Sequence, residues 1–190
     1  MKKTILKLMV ALVVVGLATG CGAKNQNTPA GGKNEPTTTA KAKIKGNCHA
    51  LECINKIETS ATVEDINAIM GFEGTLTDEK YNFYKWEISE TESIEAKYYS
   101  SKKPTIVANI DNDTIKNNKV DFSRWNELKP LISKGITYDD FITYIGGEQG
   151  TLIEKSSSSN KYIWVNANGG YLSASFGAST KKCTFASGRM

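Results

Sequence analysis

Thr62-Val-Glu-Asp-Ile-Asn-Ala-Ile-Met-Gly71 and Thr137-Tyr-Asp-Asp-Phe-Ile-Thr-Tyr-Ile-Gly146 align without a gap, 75 residues apart. Each opens on a threonine followed three residues later by aspartate, the pattern of a capped helix start. Val63, Ile66, Ile69 and Met70 in the first, and Phe141, Tyr144 and Ile145 in the second, recur at helical spacing and give each helix one apolar stripe. Gly71 and Gly146 are placed to end it in the left-handed conformation. The correspondence continues downstream. Gly74-Thr75-Leu76 matches Gly150-Thr151-Leu152, Tyr84-Lys85-Trp86 matches Tyr162-Ile163-Trp164, the run 94–98 matches 172–176, and Lys102-Lys103 finds Lys181-Lys182. Five matches in order indicate an internal duplication.

Upstream of each capped helix lies a shorter apolar pattern, Leu51, Ile54 and Ile57 in one unit and Trp125, Leu128, Leu131 and Ile132 in the other. Gly135 closes the second of these, and Pro130 falls inside it. Alternating segments follow. Leu76 and Leu152 sit in a first strand, 81–89 and 161–166 read as a second, 93–100 and 171–176 as a third, and 105–110 and 183–186 as a fourth. The expected fold is therefore α+β. It consists of two tandem repeats, 47–118 and 119–190, each helix-helix plus a four-stranded antiparallel sheet, together forming a joint concave sheet surface with helices behind.

The first 46 residues are of another kind. Lys2, Lys3 and Lys7 precede an apolar run from Leu8 to Val15, too short to span a bilayer. Ala18-Thr19-Gly20-Cys21 then resembles the lipobox cut by the lipoprotein signal peptidase, although leucine is commoner than Ala18 three residues before the cysteine. Residues 1–20 are thus expected to be a lipoprotein signal peptide and Cys21 the lipidated N-terminus, placing the protein on the extracytoplasmic face of the cell membrane. Residues 21–46, rich in Gly, Ala, Asn, Thr, Pro and Lys, read as a disordered linker with a reach on the order of 25–30 Å.

Removing the signal leaves 21 basic against 20 acidic residues. Near-neutrality, and only two arginines, Arg124 and Arg189, argue against a nucleic-acid partner. Cys48, Cys53 and Cys183 remain once Cys21 is acylated. Cys48–Cys53 is the favoured bridge, leaving Cys183 buried and free, with pairing of Cys183 to either left open. His49 is the only histidine and sits beside Cys48, an arrangement that does not present a nucleophile to a base. Cys48, His49 and Cys53 fall short of a four-ligand zinc site, and Asp111-Asn112-Asp113 lacks the glycine and distal glutamate of a calcium loop. No catalytic residue, metal or cofactor is assigned, and the chain is not read as an enzyme.

The tandem unit, the 135–152 run with its Gly-Ile-Thr-Tyr-Asp-Asp-Phe and Gly-Thr-Leu motifs, and the Tyr-x-Trp strands resemble the β-lactamase-inhibitor-protein-like family. Small outer-membrane assembly lipoproteins carry a similar Gly-x-Thr helix in single copy. The resemblance implies binding through the concave sheet face, and for the inhibitors an acidic residue on a hairpin of repeat 1 that enters the β-lactamase active site. Glu90 and Glu92 occupy that hairpin here, followed by Ser93 and Ile94 where the inhibitors carry aromatics. The family's disulfide within each repeat is not reproduced.

Strand alternation puts Tyr84, Trp86 and Ile88 on one face and Tyr81 and Phe83 on the other, with Tyr99 and Tyr171 opposite Tyr98 and Leu172. Aromatics on both faces mean either that the open face meets a partner or that one set belongs to the junction between repeats. Tyr81, Phe83, Tyr84, Trp86, Tyr99, Tyr162, Trp164 and Tyr171 are accordingly the candidate partner-binding aromatics. The expected function is that of a cell-surface lipoprotein acting as a non-catalytic protein-binding module. Its partner would be a β-lactamase, a penicillin-binding protein or another envelope protein, and its membrane contact a lipid anchor. The alternative is a structural or envelope-assembly lipoprotein without inhibitory activity.

Overall fold

The computed structural model describes residues 44–115 and 120–189. Cys21, the signal at 1–20, most of the 21–46 linker and the 118/119 repeat boundary lie outside the described residues. The described residues belong to one compact unit. They form an α+β fold with four α helices and an eight-stranded antiparallel sheet.

In chain order, α1 (Ala50–Lys56) and α2 (Val63–Met70) precede β1 (Thr75–Asp78), β2 (Phe83–Glu87), β3 (Ser93–Lys97) and β4 (Thr105–Asn109). A short 3-10 turn, η1 (Asn112–Ile115), leads to α3 (Trp125–Ile132) and α4 (Tyr138–Tyr144). Then come β5 (Thr151–Lys155), β6 (Ser159–Val165), β7 (Tyr171–Gly177) and β8 (Cys183–Arg189). The sheet order is the chain order, β1 to β8, so each strand pairs with its sequence neighbours.

The helix starts form as their residues dictate. Thr62 accepts from Asp65 N while the Asp65 carboxylate accepts from Thr62 N, a complete capping box. Thr137 accepts from Asp140 N in the same way. Gly71 ends α2 at φ +78. Gly135 follows α3 at φ +72, with Ile136 N donating to Leu131 O and Gly135 N to Ile132 O, which satisfies carbonyls the helix end would leave unpaired. Several strands are shifted relative to the alternation pattern. β2 starts at Phe83 because Tyr81 N is held by the Asp78 carboxylate and Asn82 is left-handed at φ +54. β8 runs on to Arg189, paired with β7 through Tyr171↔Arg189.

Helices cover one sheet face in each half. Ile54, Ile66 and Met70 pack on Trp86, Ile94, Ala96 and Ile106 in a first core. Leu128, Phe141 and Ile145 pack on Trp164, Leu172 and Phe176 in a second. β4 pairs with β5 through Ile106↔Lys155 and Val107↔Glu154, and Leu152 of β5 packs into the first core.

Each core turns on a tryptophan laid against a glycine. A Cβ on Gly74 would meet Trp86 Cε2 at 2.4 Å, and one on Gly150 would meet Trp164 Cζ2 at 2.5 Å. The polar edge of each indole is satisfied differently. Trp86 Nε1 and Gly74 N both donate to Asn67 Oδ1, at 2.8 and 3.0 Å. Trp164 Nε1 donates to Glu148 O at 2.9 Å, and Gly150 N to the Tyr138 hydroxyl at 3.0 Å.

Asn67→Leu therefore leaves two donors without their acceptor and is expected to cost about 1–3 kcal/mol or more. Gly74→Ala, which must displace an indole with nowhere to go, should cost about 1–3 kcal/mol. Chemical denaturation of each variant measures both. Acid sensitivity follows from the capping box, where the Thr62 N–H, then the Thr62 hydroxyl, hold the Asp65 carboxyl below its ordinary value of 3.8. A depressed folded-state value adds stability above the ordinary value that is lost as pH falls through the folded one. The stability gap between wild type and Asp65→Asn should accordingly close as pH drops below about 4, read from urea midpoints across a pH series.

Candidate binding surface

Placing helices on one face decides which aromatics can be reached. Trp86 and Trp164 are 0% and 1% exposed, and Tyr84 and Tyr162 lie half-buried beside them against the same cores. These four face the helices, so the partner-binding assignment is corrected for them: they hold the fold, and substituting either tryptophan reports on stability. Tyr98 shares their side. Its hydroxyl donates to Ala61 O at 3.0 Å, and burial pushes the phenol up to about 12.

The open face is different in composition. Across β2 and β3 it presents Lys85, Glu87, Glu95 and Lys97, with ion pairs Lys85–Glu87 and Lys97–Glu95 at 2.9 Å each. At one end of it Tyr81, Phe83 and Tyr99 pack together. The Tyr81 and Phe83 rings stack at 5.6 Å and 29°, and Phe83 meets Tyr99 edge-on at 5.0 Å and 81°. Lys80 Nζ sits 4.8 Å from the Tyr81 centroid and Lys97 Nζ 5.8 Å from that of Phe83.

Despite this mutual packing, Tyr81 stays 40% and Tyr99 53% exposed. Tyr99 holds φ +46, a left-handed backbone that a bulky residue adopts only at a cost. That conformation ends β3 and turns the ring onto the open face, away from the buried side taken by Tyr98. At the other end of the sheet, Tyr171 is exposed on the open face, as is Phe185 on β8. Phe185 escapes the sequence pattern because a four-residue segment, Cys183–Ala186, does not reveal which alternate residues lie under helices.

Much of the second half's open face is covered. Ile163 and Val165 point to that side, yet they are buried against Ile115 of η1, with Ile110 and Ile153 around them. Asp111 and Asp113 themselves stay exposed, Asp111 accepting from Asp113 N and Thr114 N, and Ile115 at the end of that turn is the residue that packs down.

The hairpin between β2 and β3 separates its two acids. Glu90 stands exposed at the tip. Glu92 folds back, accepting from Ala50 N at 3.1 Å and lying 3.2 Å from His49 Nδ1, so its carboxylate caps the start of α1. His49 itself provides no side-chain cap. Partner contact by Glu92 is therefore corrected to a structural role, and Glu90 alone is presented outward.

Cys48 and Cys53 form a disulfide with Cα atoms 5.6 Å apart, which ties the residues flanking the start of α1. Cys183 is a free thiol, buried in β8 and pushed up to about 11 by that burial. Among the described residues no group of three or more His, Cys, Asp or Glu is placed to hold a metal ion. No helix among them is long and apolar enough to cross a membrane. No family model, curated protein or solved structure matches the chain.

Glu92→Ala should lower stability by about 1 kcal/mol through loss of the α1 cap, whereas Glu90→Ala should stay within about 0.5 kcal/mol of wild type. Thermal and urea unfolding of the two variants side by side test the assignment, which fails if their effects are equal.

Proposed function

We propose that the protein is a lipid-anchored, non-catalytic protein-binding module on the outer face of the cell membrane, gripping its partner with the open face of the sheet. The observation that carries this is the Tyr81, Phe83 and Tyr99 cluster: aromatic, with both tyrosines exposed, and held partly by a left-handed tyrosine on the face opposite the α helices. Exposed tyrosines of this kind are the residues in which binding energy concentrates. The membrane setting rests on the lipobox-like residues ending at Cys21.

The tandem-repeat reading has support from register. Tyr84↔Ala96 and Trp86↔Ile94 in one half correspond to Tyr162↔Ala174 and Trp164↔Leu172 in the other, all offset by 78. Two such units joined along β4 and β5 would share one concave face, as the resemblance to the β-lactamase-inhibitor-protein-like family implies. A β-lactamase, a penicillin-binding protein or another envelope protein is the partner class this reading selects.

The second reading, an envelope-assembly or structural lipoprotein that inhibits nothing, is favoured by the hairpin. Glu92 is committed to α1, and Ser93 and Ile94, which follow it, are buried, leaving Glu90 without neighbouring aromatics to seat it in an active site.

Titrating a class A β-lactamase with residues 22–190 separates the two: unchanged hydrolysis at micromolar protein removes the inhibitor reading. For any partner identified, Tyr81→Ala and Tyr99→Ala should each weaken binding about 30-fold without unfolding the domain, corresponding to a hot-spot loss of about 2 kcal/mol. Retained affinity in both, with native circular dichroism, overturns the site. Cys21→Ala should abolish palmitate labelling of the expressed chain, and labelling that persists would refute the anchor.

A further inference from the structure

The two outer strands of the sheet are finished differently. β1 has four residues, loses register between Leu76 and Asp78, and ends on a carboxylate. β8 has seven, and from Phe185 to Arg189 it pairs with β7 residue for residue. Its start is covered on the outer side by the loop between α3 and α4, where Cys183 N donates to Ile136 O at 2.7 Å and Tyr138 N to Lys181 O at 2.9 Å. Beyond that loop, among the described residues, no strand lies along it. Phe185, Ser187, Gly188 and Arg189 are exposed there. None of the usual guards of a free edge, a lysine, a proline or a bulge, falls within 185–189.

Which backbone groups are free follows from the bonding of β7. Asn166 N donates to Gly170 O before that strand and Ala178 N to Ser158 O after it, so its even-numbered residues bond to β6 and its odd-numbered ones to β8. Tyr171 and Ser173 therefore engage Arg189 and Ser187, and the N–H and C=O groups of Ala186 and Gly188 point outward from the sheet. Two such residues, one apart, are a template for one antiparallel strand.

We propose that this edge pairs with the same edge of a second copy of the chain, forming a closed two-fold dimer. The edge is self-complementary. Setting Ala186 of each copy against Gly188 of the other uses all the outward groups of both, about a two-fold axis at Ser187. That register places Ser187 opposite Ser187 and each Phe185 opposite the other copy's Arg189, all on the open face, since these three residues alternate onto it. No like charges meet, and Phe185, 57% exposed in the single copy, gains a guanidinium beside its ring.

An extended peptide of unrelated sequence would find the same backbone groups without these reciprocal contacts. The paired stretch, 185–189 in both copies, stops short of the loop that occupies 181–183. β1 offers no comparable run, so an open-ended series of β1–β8 contacts has no second template and association closes at two. The axis stands perpendicular to the sheet, so both open faces look the same way. The proposal rests on neither the protein-binding nor the anchor reading.

Sedimentation of unlipidated residues 22–190, which keep every described contact, should show a reversible monomer–dimer equilibrium at submillimolar protein. Ser187→Glu and Ser187→Lys should each weaken it about fivefold by setting like charges opposite one another, and an equimolar mixture of the two should restore it. Phe185→Ala, which removes both aromatic–guanidinium contacts, should weaken it about tenfold. Circular dichroism of each variant checks that the fold is intact. A wild-type chain that stays monomeric throughout overturns the proposal. So does a dimer indifferent to both charges at Ser187, which would place the interface elsewhere, and so does growth beyond the dimer, which would mean open-ended pairing through β1. Because neither a partner protein nor a lipid enters the assay, failure here leaves the protein-binding and anchor readings to their own experiments.

Discussion

The pairing of β4 with β5 is the constraint on which the architecture depends. Only Ile106↔Lys155 and Val107↔Glu154 are in register across it. Those residues alone turn two four-stranded halves into one sheet. The join is reinforced from the helix side, where Leu152 of β5 packs into the core built by α1 and α2. Without it each half would expose a further strand edge, with unpaired N–H and C=O groups inviting association. With it, only β1 and β8 remain as edges. β1 is short and broken by an irregularity between Leu76 and Asp78, which blunts it as a template for pairing.

The same join creates a continuous open face, but the two halves do not use it alike. In the first half that face is polar and charged across β2 and β3, apart from its aromatic end. In the second it is apolar at Ile163 and Val165, and η1 is folded down onto them. An apolar face without helices needs a cover. Ile115 supplies one from the connection between halves.

How far this was legible in the sequence follows from what alternation encodes. Thr62 with Asp65, and Thr137 with Asp140, announce helix starts because their side chains act on their own backbone, and the helices begin there. Period two separates Tyr84 and Trp86 from Tyr81 and Phe83, but it does not say which set the helices cover, since both contain aromatics. The discriminating signal was in the company each set keeps: Phe83 alternates with Lys85 and Glu87, and Glu95 and Lys97 share that face, whereas Trp86 sits opposite Ile94. Gly74 and Gly150 carried the same message, as positions where an indole closes on backbone. Non-local roles left no local trace. Glu92 caps a helix 42 residues away, and Ile115 covers a strand nearly 50 residues on.

These asymmetries bear on where a partner can sit. Two four-stranded halves offer two open faces in principle. The connection between the halves closes much of the second, leaving Tyr171 and Phe185 exposed beyond its cover. Among the described residues no segment returns across β2 and β3 in the first half, and the aromatic side chains there satisfy one another only in part. The left-handed Tyr99 matters because its cost is not repaid by burial: a tyrosine 53% exposed gains little from holding φ +46 within the isolated fold. Under the protein-binding proposal, a surface that supplies the missing contacts would recover that cost, which favours the aromatic end of the first half as the recognition element over the exposed residues of the second.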